Sequence, residues 1–372
     1  MSSQPPHPTL LIPGPIEFDD AVLQAMSHYR SNARSESHVG PGFVNTFGEA
    51  LSMLRQLFQT KDPQAQPFVI SGSGTLGWDL VAANLVEAGE DVLVLATGYF
   101  SNGFTDCFKT YGGNVTELRA PVGERPQLPE IEKALSEKKY KVLTVTHVDT
   151  STAVLSELKE LTALVKRVSP ETLVIVDGVC SVGVEEIRFD EWKLDGVITA
   201  SQKAIGVPAV RDGAHADEET ELTTAVMQNY EAKKPSYFAT PSPQLIHALH
   251  TGLTQILAKP LSERFAKHKE VSDKVKKAVA DLGLKQVAAK PEDQAHGMTA
   301  IYLPESVKAA ELLPSLAKKG IVFAGGIHKE IAPKYIRFGH MGVSVTDPNR
   351  KDIDNAIKAL QDSLFEVGYQ KP

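Results

Sequence analysis

Between about Phe68 and Ala200 the chain repeats one theme, a short apolar run followed by a longer segment of helical period. The runs at 68–71, 91–96, 115–118, 142–146, 173–176 and 197–200 have strand length, and helical patterns such as 76–86 and 155–168 lie between them. Runs that are apolar throughout suit strands buried on both faces, and strand–helix repetition of this kind builds a mostly parallel sheet covered by helices. Such sheets bind ligands beyond the carboxyl ends of their strands. The residues that follow each run are therefore where chemistry is expected.

Beyond Pro243 the texture changes. Leu245, Ile246, Leu249, Leu253, Ile256 and Leu257 form one apolar stripe at helical spacing, continued by Val271, Val275 and Val279. Strand-like residues 300–303, 321–324 and 335–338 and a closing helix around 353–365 suit a small α+β domain. The chain has 372 residues, more than the roughly 250–300 at which a single core stops growing. The expected division is an N-terminal arm (1–20), a large ligand-binding domain (21–240), and a bridging helix with a small C-terminal domain (241–372).

A formal net charge of −7 with no block of Lys and Arg leaves no electrostatic footprint for nucleic acid or an anionic membrane, which favours a small-molecule partner. The longest apolar runs, such as 92–96, fall far short of the roughly 20 residues of a bilayer span. Residues 1–8 are rich in Pro and Ser and lack the pattern of a secretory signal. The two cysteines, Cys107 and Cys180, are too few for a disulfide framework and have no metal-spaced His nearby, so a reducing compartment is expected. Gln370-Lys371-Pro372 is not a Ser-Lys-Leu type address. The expected location is the cytoplasm, with peroxisome and mitochondrion left open.

Three signals carry chemistry. The first is Ile70-Ser71-Gly72-Ser73-Gly74-Thr75-Leu76-Gly77, a glycine-rich turn opening a helix. Backbone N–H groups of Ser73, Gly74 and Thr75 at the positive end of that helix suit a phosphate. Read as Gly72-x-Gly74-x-x-Gly77, with Asp91 near the spacing of a ribose acid, the turn also matches a dinucleotide fingerprint, and a plain packing turn is the third option. The second signal is Asp177, which ends the apolar run 173–176. A carboxylate there needs a partner, either a protonated ring nitrogen or a structural cation. The third is Lys203, in Ala200-Ser201-Gln202-Lys203-Ala204 directly after the next run. A lysine so placed is a Schiff-base nucleophile if its surroundings lower its pKa, although most lysines are solvated surface charges.

Together, a phosphate turn, an acid ending one strand and a lysine following the next meet the needs of pyridoxal 5'-phosphate (PLP). Its phosphate wants helix-terminal donors, its ring nitrogen a carboxylate and its aldehyde a lysine. The dinucleotide alternative explains neither Asp177 nor Lys203.

At these residues the chain resembles the class V group of fold-type I PLP-dependent aminotransferases, and within it the alanine:glyoxylate aminotransferases of fungal type. The likeness runs through 10–15, Ser71 to Asp79, Thr146 to Thr152, Ser201 to Gly206, Ala324 to His328 and Tyr335 to Gly342. It implies an α/β fold, with a mostly parallel sheet, helices on both faces and a small C-terminal α+β domain. It also implies transfer of the amino group of alanine or serine to glyoxylate, giving glycine. Carried over residue by residue, it implies that Ser73, Gly74, Thr75 and Gln202 hold the phosphate. Phe100 would stack on one face of the ring and Val179 pack on the other, Thr150 would bond the ring hydroxyl, and Asp177 and Lys203 would be catalytic. Arg337 would clamp the substrate carboxylate with Gly14 beside it, and Tyr237 and Thr240 would reach the phosphate of a neighbouring subunit in a homodimer. His147 and His340 lie in family-like text but receive no chemical role.

Two stretches depart from the resemblance. Tyr29 to Ser37 is longer than the pattern, at a loop near the substrate entrance. After Pro208 the pattern continues with an apolar strand of the central sheet and a helix, whereas Ala209 to Val226 carries Asp212, Asp217, Glu218, Glu219 and Glu221 and no strand pattern. The sheet is expected to lack that strand. The departure motivates one alternative function, a catalytically impaired or non-catalytic protein on the aminotransferase scaffold. A desulfurase, which would need a reactive cysteine on a mobile loop, is another.

Overall fold

The computed structural model describes residues 4–27, 37–208, 227–235 and 241–371. Five strands form the central sheet: β2 (Asp91–Ala96), β3 (Asn114–Arg119), β4 (Val142–Thr146), β7 (Leu173–Asp177) and β8 (Gly196–Ile198). They lie in the order β3-β2-β4-β7-β8, and every pair is parallel. The register places Thr146 opposite Asp177 and Asp177 opposite Ile198, so the carboxyl ends of β4, β7 and β8 are level.

Alternate residues of each strand point to opposite faces, and here both faces are covered. Val92, Val94, Val142 and Ile175 pack with Trp78 and Ala82 of α3 (Gly74–Leu85) and with Phe104 and Phe108 of α4 (Tyr99–Thr110). Leu93, Leu95, Leu143, Val145, Val174 and Val176 pack on the other face. There they meet apolar stripes from α2 (Pro41–Leu57), α5 (Leu128–Glu137), α6 (Lys159–Val168) and α7 (Pro243–Leu257). This two-sided cover is why residues 92–96 of β2 and 173–176 of β7 are apolar without alternation. The edge strand β3 is polar and only partly buried, which suits a sheet edge.

A second core surrounds a three-stranded antiparallel sheet, ordered β11 (Ala324–Gly325), β12 (Tyr335–Gly339), β9 (Met298–Tyr302). Val271, Val275 and Val279 of α8 (Leu261–Asp281) line it with residues of α9 (Ala309–Lys318) and α11 (Asp352–Glu366). The amino-terminal strand β1 (Thr9–Leu10) pairs in parallel with β10 (Ile321–Val322). Smaller elements are α1 (Asp20–Ser27), α10 (Val343–Thr346) and the antiparallel pair β5 (Val148–Asp149) and β6 (Val154–Leu155).

The expected elements form with several changes, among them the run 321–324, which is divided between β10 and β11 in different sheets. Residues 68–71 form no strand; Phe68 and Ile70 are among the exposed large hydrophobics, and a strand without a partner leaves its backbone groups to water. The helix expected from 155 begins at Lys159, because 154–155 pairs with β5. The long stripe beyond Pro243 is divided into α7 and α8 where Pro260 interrupts it. Among the described residues β8 has β7 as its one neighbour. The segment 209–226, expected to supply no strand, and most of the 29–37 insertion lie outside the described residues. No described helix is long and apolar enough to cross a membrane.

Leu143, fully buried in β4, tests the core. Leu143→Ala should lower stability by about 2–5 kcal/mol, read as a lower urea midpoint at constant slope. Thr116→Ala on the edge strand β3 should change it by less than about 1 kcal/mol.

Candidate active site

The carboxyl ends of β2, β4, β7 and β8 open on one edge of the sheet, and the polar residues of interest follow them. Asp177 is the last residue of β7 and is buried. Its Oδ1 accepts the backbone N–H of Val179 at 3.0 Å, and its Oδ2 accepts the indole Nε1–H of Trp78 at 2.9 Å. Burial nevertheless dominates and pushes the carboxyl up to about 6, against the two hydrogen bonds.

The glycine turn reaches the same place. α3 starts at Gly74, and a methyl group there would meet Val179 Cγ2 at 2.8 Å and Ala200 Cβ at 3.5 Å. Only a residue without a side chain lets the helix start this close to the ends of β7 and β8. Ser73, the N-cap, makes no side-chain cap bond; its hydroxyl lies 2.6 Å from that of Thr75. Gln202 Oε1 is buried with no hydrogen-bond partner.

Lys203 follows β8 in a turn and is buried, its Nζ donating to the carbonyl of Pro13. Burial is the main influence holding the amine below its ordinary value; the Arg337 guanidinium adds to it and Asp177 opposes it. Gly14 lies against the lysine stem, where a side chain would collide with Cδ, and its φ of +106° also favours glycine. The chain neighbours of Thr150 and Phe100 form one hydrogen-bonded unit: Tyr99 N–H donates to Ser151 Oγ at 2.9 Å, and Asp149 accepts from Ser151 and Ser101. Phe100 meets Trp78 edge to face at 6.4 Å. Arg337 on β12 donates through Nε to the Gly325 carbonyl at 2.8 Å and through Nη1 to the Thr150 carbonyl at 3.3 Å, leaving Nη2 for a ligand.

Thus Ser73, Gly74, Thr75, Asp177, Val179, Gln202, Lys203 and Gly14 converge, with Phe100, Thr150 and Arg337 tied to them through shared contacts. Tyr237 and Thr240 lie outside the described residues. Sequence reasoning gave no role to Trp78, Pro13 or Asp149, whose partners are distant in the chain. His147 bonds Ser181 and His340 bonds Thr299, and burial lowers them to about 4 and about 3. Both are neutral packing groups.

Asp91, the ribose acid of the dinucleotide alternative, begins β2 and pairs with Lys138 at 2.6 Å, at the sheet edge opposite the glycine turn. That reading is therefore overturned. Cys107 is pushed up to about 12, by burial first and then by Asp79, and burial also raises Cys180, so neither supplies a thiolate for desulfurase chemistry. A cavity of about 270 Å³ lined by Arg125, His147, Glu185 and Trp192 holds none of the converging residues. Two of its ionisable side chains already have partners, Glu185 bonding His296 and Arg125 Asp293, each at 2.7 Å.

Comparison with known proteins points the same way. The family model described as aminotransferase class-V matches residues 10–342. The chain is 42% identical over 383 residues to alanine–glyoxylate aminotransferase 1 of Saccharomyces cerevisiae, covering 96% of this chain and 97% of that one. It is 30% identical to L-aspartate–glyoxylate aminotransferase of Paracoccus denitrificans, over 93% of this chain and 88% of that one. Among solved structures, an alanine–glyoxylate aminotransferase from Nostoc sp. superposes with a TM-score of 0.85 at 27% identity, covering 97% of this chain and 96% of the other.

The raised Asp177 gives a pH signature in ligand-free protein. An unfolded aspartate titrates near ~3.9, and the folded one holds its proton up to about 6. Its contribution to stability is present below about pH 4 and lost as pH rises through about 6. Asp177→Asn removes that loss, so the variant should gain on the parent by roughly 2–3 kcal/mol between pH 4 and 8 in urea unfolding. A stability difference that does not vary with pH would contradict the assigned environment.

Proposed function

Because the chain belongs to the class-V aminotransferase family, we propose that it carries PLP on Lys203 and moves the amino group of alanine, with serine as a second donor, to glyoxylate, yielding glycine. The carrying observation is a buried lysine amine in the turn after β8 and a buried carboxylate at the end of the adjacent β7, against a side-chain-free helix start. The 42% identity to a protein named for the alanine–glyoxylate reaction supports the substrates.

The residues present fit the cofactor. A buried Gln202 amide with one end unpartnered, which presents N–H donors when flipped, a helix N-terminus carrying the paired Ser73 and Thr75 hydroxyls, and a buried acid suit a group with a phosphate at one end and a basic ring nitrogen at the other. Ser73, Gly74, Thr75 and Gln202 hold the phosphate; Phe100 and Val179 bracket the ring, and Thr150 bonds its hydroxyl. When bound, PLP supplies a conjugated ring that takes up the electron pair of a substrate Cα–H bond and carries the amino group between donor and acceptor. Asp177 keeps the facing ring nitrogen protonated, since a cation beside a buried carboxylate relieves its burial cost. Lys203, whose amine burial holds below its ordinary value, takes and holds the proton from the substrate Cα at Nζ. Arg337 binds the substrate carboxylate through its free Nη2, beside Gly14, with its plane fixed by the Gly325 and Thr150 carbonyls. Tyr237 and Thr240 reach the phosphate of a second copy, which makes the working unit a homodimer. The same reading divides the chain into the arm, the large cofactor-binding domain and the small C-terminal domain expected above.

Purified protein given PLP should develop a visible absorbance band that alanine shifts, and borohydride reduction should fix the label on Lys203 alone. A label on another lysine overturns the assignment, and Lys203→Ala should abolish transamination. Arg337→Lys should raise KM for alanine and for glyoxylate about tenfold or more, because an ammonium cannot reproduce the planar fork. Unchanged KM for both would remove Arg337 from the substrate site.

A further inference from the structure

We infer that Trp78 is a positioning residue, whose indole N–H sets the orientation of the Asp177 carboxylate that meets the cofactor ring nitrogen. The inference rests on the cofactor reading above and deepens it. An ionised carboxylate has about four acceptor sites on two oxygens, and here each oxygen is held by one fixed donor, Val179 N–H on Oδ1 and Trp78 Nε1–H on Oδ2. With one donor on each oxygen, rotation of the carboxylate breaks a charge-assisted hydrogen bond in a buried site, so the remaining lone pairs keep one direction.

The indole is itself immobilised. Phe104 stacks on it at 5.5 Å and 14°, and Phe100 meets it edge to face. Gly103 of α4 approaches so closely that a Cβ there would lie 2.8 Å from Cζ3 of the indole. A glycine inside a helix is destabilising relative to alanine, and at position 103 it makes room for the ring. Trp78 thereby joins the aromatic residue expected against the ring to the acid expected at its nitrogen. A core tryptophan whose N–H simply found an acceptor is the competing explanation. The two differ in what happens when packing is kept and only the N–H is removed.

The test uses the full chain with Trp78 replaced by β-(3-benzothienyl)alanine, a two-ring isostere lacking the N–H, alongside Trp78→Phe. The probes are 4-deoxypyridoxine 5-phosphate, which has the ring nitrogen and phosphate but cannot bond to lysine, and inorganic phosphate. Both variants should retain the phosphate affinity of the parent and bind deoxypyridoxine phosphate about tenfold more weakly, the scale of one hydrogen bond to a charged group. The acid limb of the affinity-against-pH curve should move to higher pH. Asp149 and Lys203, the other charged groups that act on Asp177, are unchanged by either substitution.

Parent-like affinity and pH profile in the folded isostere overturn the inference. Should the variants misfold, the indole ¹⁵N–¹H resonances of the unsubstituted protein decide. Deoxypyridoxine phosphate should shift Trp78 and leave Trp192 in place, and an unmoved Trp78 signal in the complex overturns the inference. A parent that binds no deoxypyridoxine phosphate overturns the cofactor reading and this inference with it, whereas parent binding with unchanged variants overturns this inference alone.

Discussion

A carboxylate cannot be placed at the end of a strand flanked by Val174, Ile175 and Val176 without compensation, because moving its charge out of water costs several kcal/mol. At Asp177 the compensation comes from two N–H donors contributed by different elements, the loop after β7 and the first turns of α3. To deliver Trp78, α3 must start against the ends of β7 and β8, and to start there it must begin with glycine. The glycine turn, the buried acid and the indole are thus one solution to one electrostatic problem. The same solution points the amides at the start of α3 and the carboxylate into the same opening.

The second core contributes through a few buried polar contacts. Tyr335 accepts the backbone N–H groups of Ile327 and His328 at 3.0 Å and donates to the Ser151 carbonyl at 2.6 Å, so the strand bearing Arg337 is fastened beside Thr150. Arg264 of α8 is half-buried and donates to the carbonyls of Gly183 and Ala204, both at 2.7 Å. These are side chains from the small antiparallel sheet and the bridging helix holding loops of the large parallel one. The geometry at the site is therefore a property of both cores together.

Much of this was legible in the sequence, and the reason differs by element. Strands β2, β4 and β7 are buried on both faces, so their apolar runs left no ambiguity, and Asp177 and Lys203 stood out because each follows such a run. Residues 68–71 misled because an apolar tetrapeptide specifies a strand only if a partner lies beside it, and partners are not encoded locally. Trp78 and Asp149 carried no signal of their own: a tryptophan in a helix reads as core, and an aspartate before a threonine reads as a turn. Their roles depend on contacts spanning 99 and 48 residues of chain, which no local period reports.

The placement of Lys203 bears on the acidic segment that follows Pro208. The lysine sits in a turn closed by its own backbone, with Val207 N–H donating to the Ser201 carbonyl at 2.9 Å and Gly206 N–H to the Lys203 carbonyl at 2.8 Å. Gly206 adopts a φ of +72°, a left-handed conformation that glycine takes without strain. From outside, Ile16 N–H donates to the Gln202 carbonyl at 3.1 Å, Arg264 holds the Ala204 carbonyl, and Pro13 accepts from Nζ. Every one of these partners precedes Ala209 or follows Pro243. The turn that presents the amine is thus fixed by the amino-terminal strand region, the end of β8 and helix α8. A departure from family pattern at 209–226 leaves in place each of these contacts, which among the described residues position the lysine.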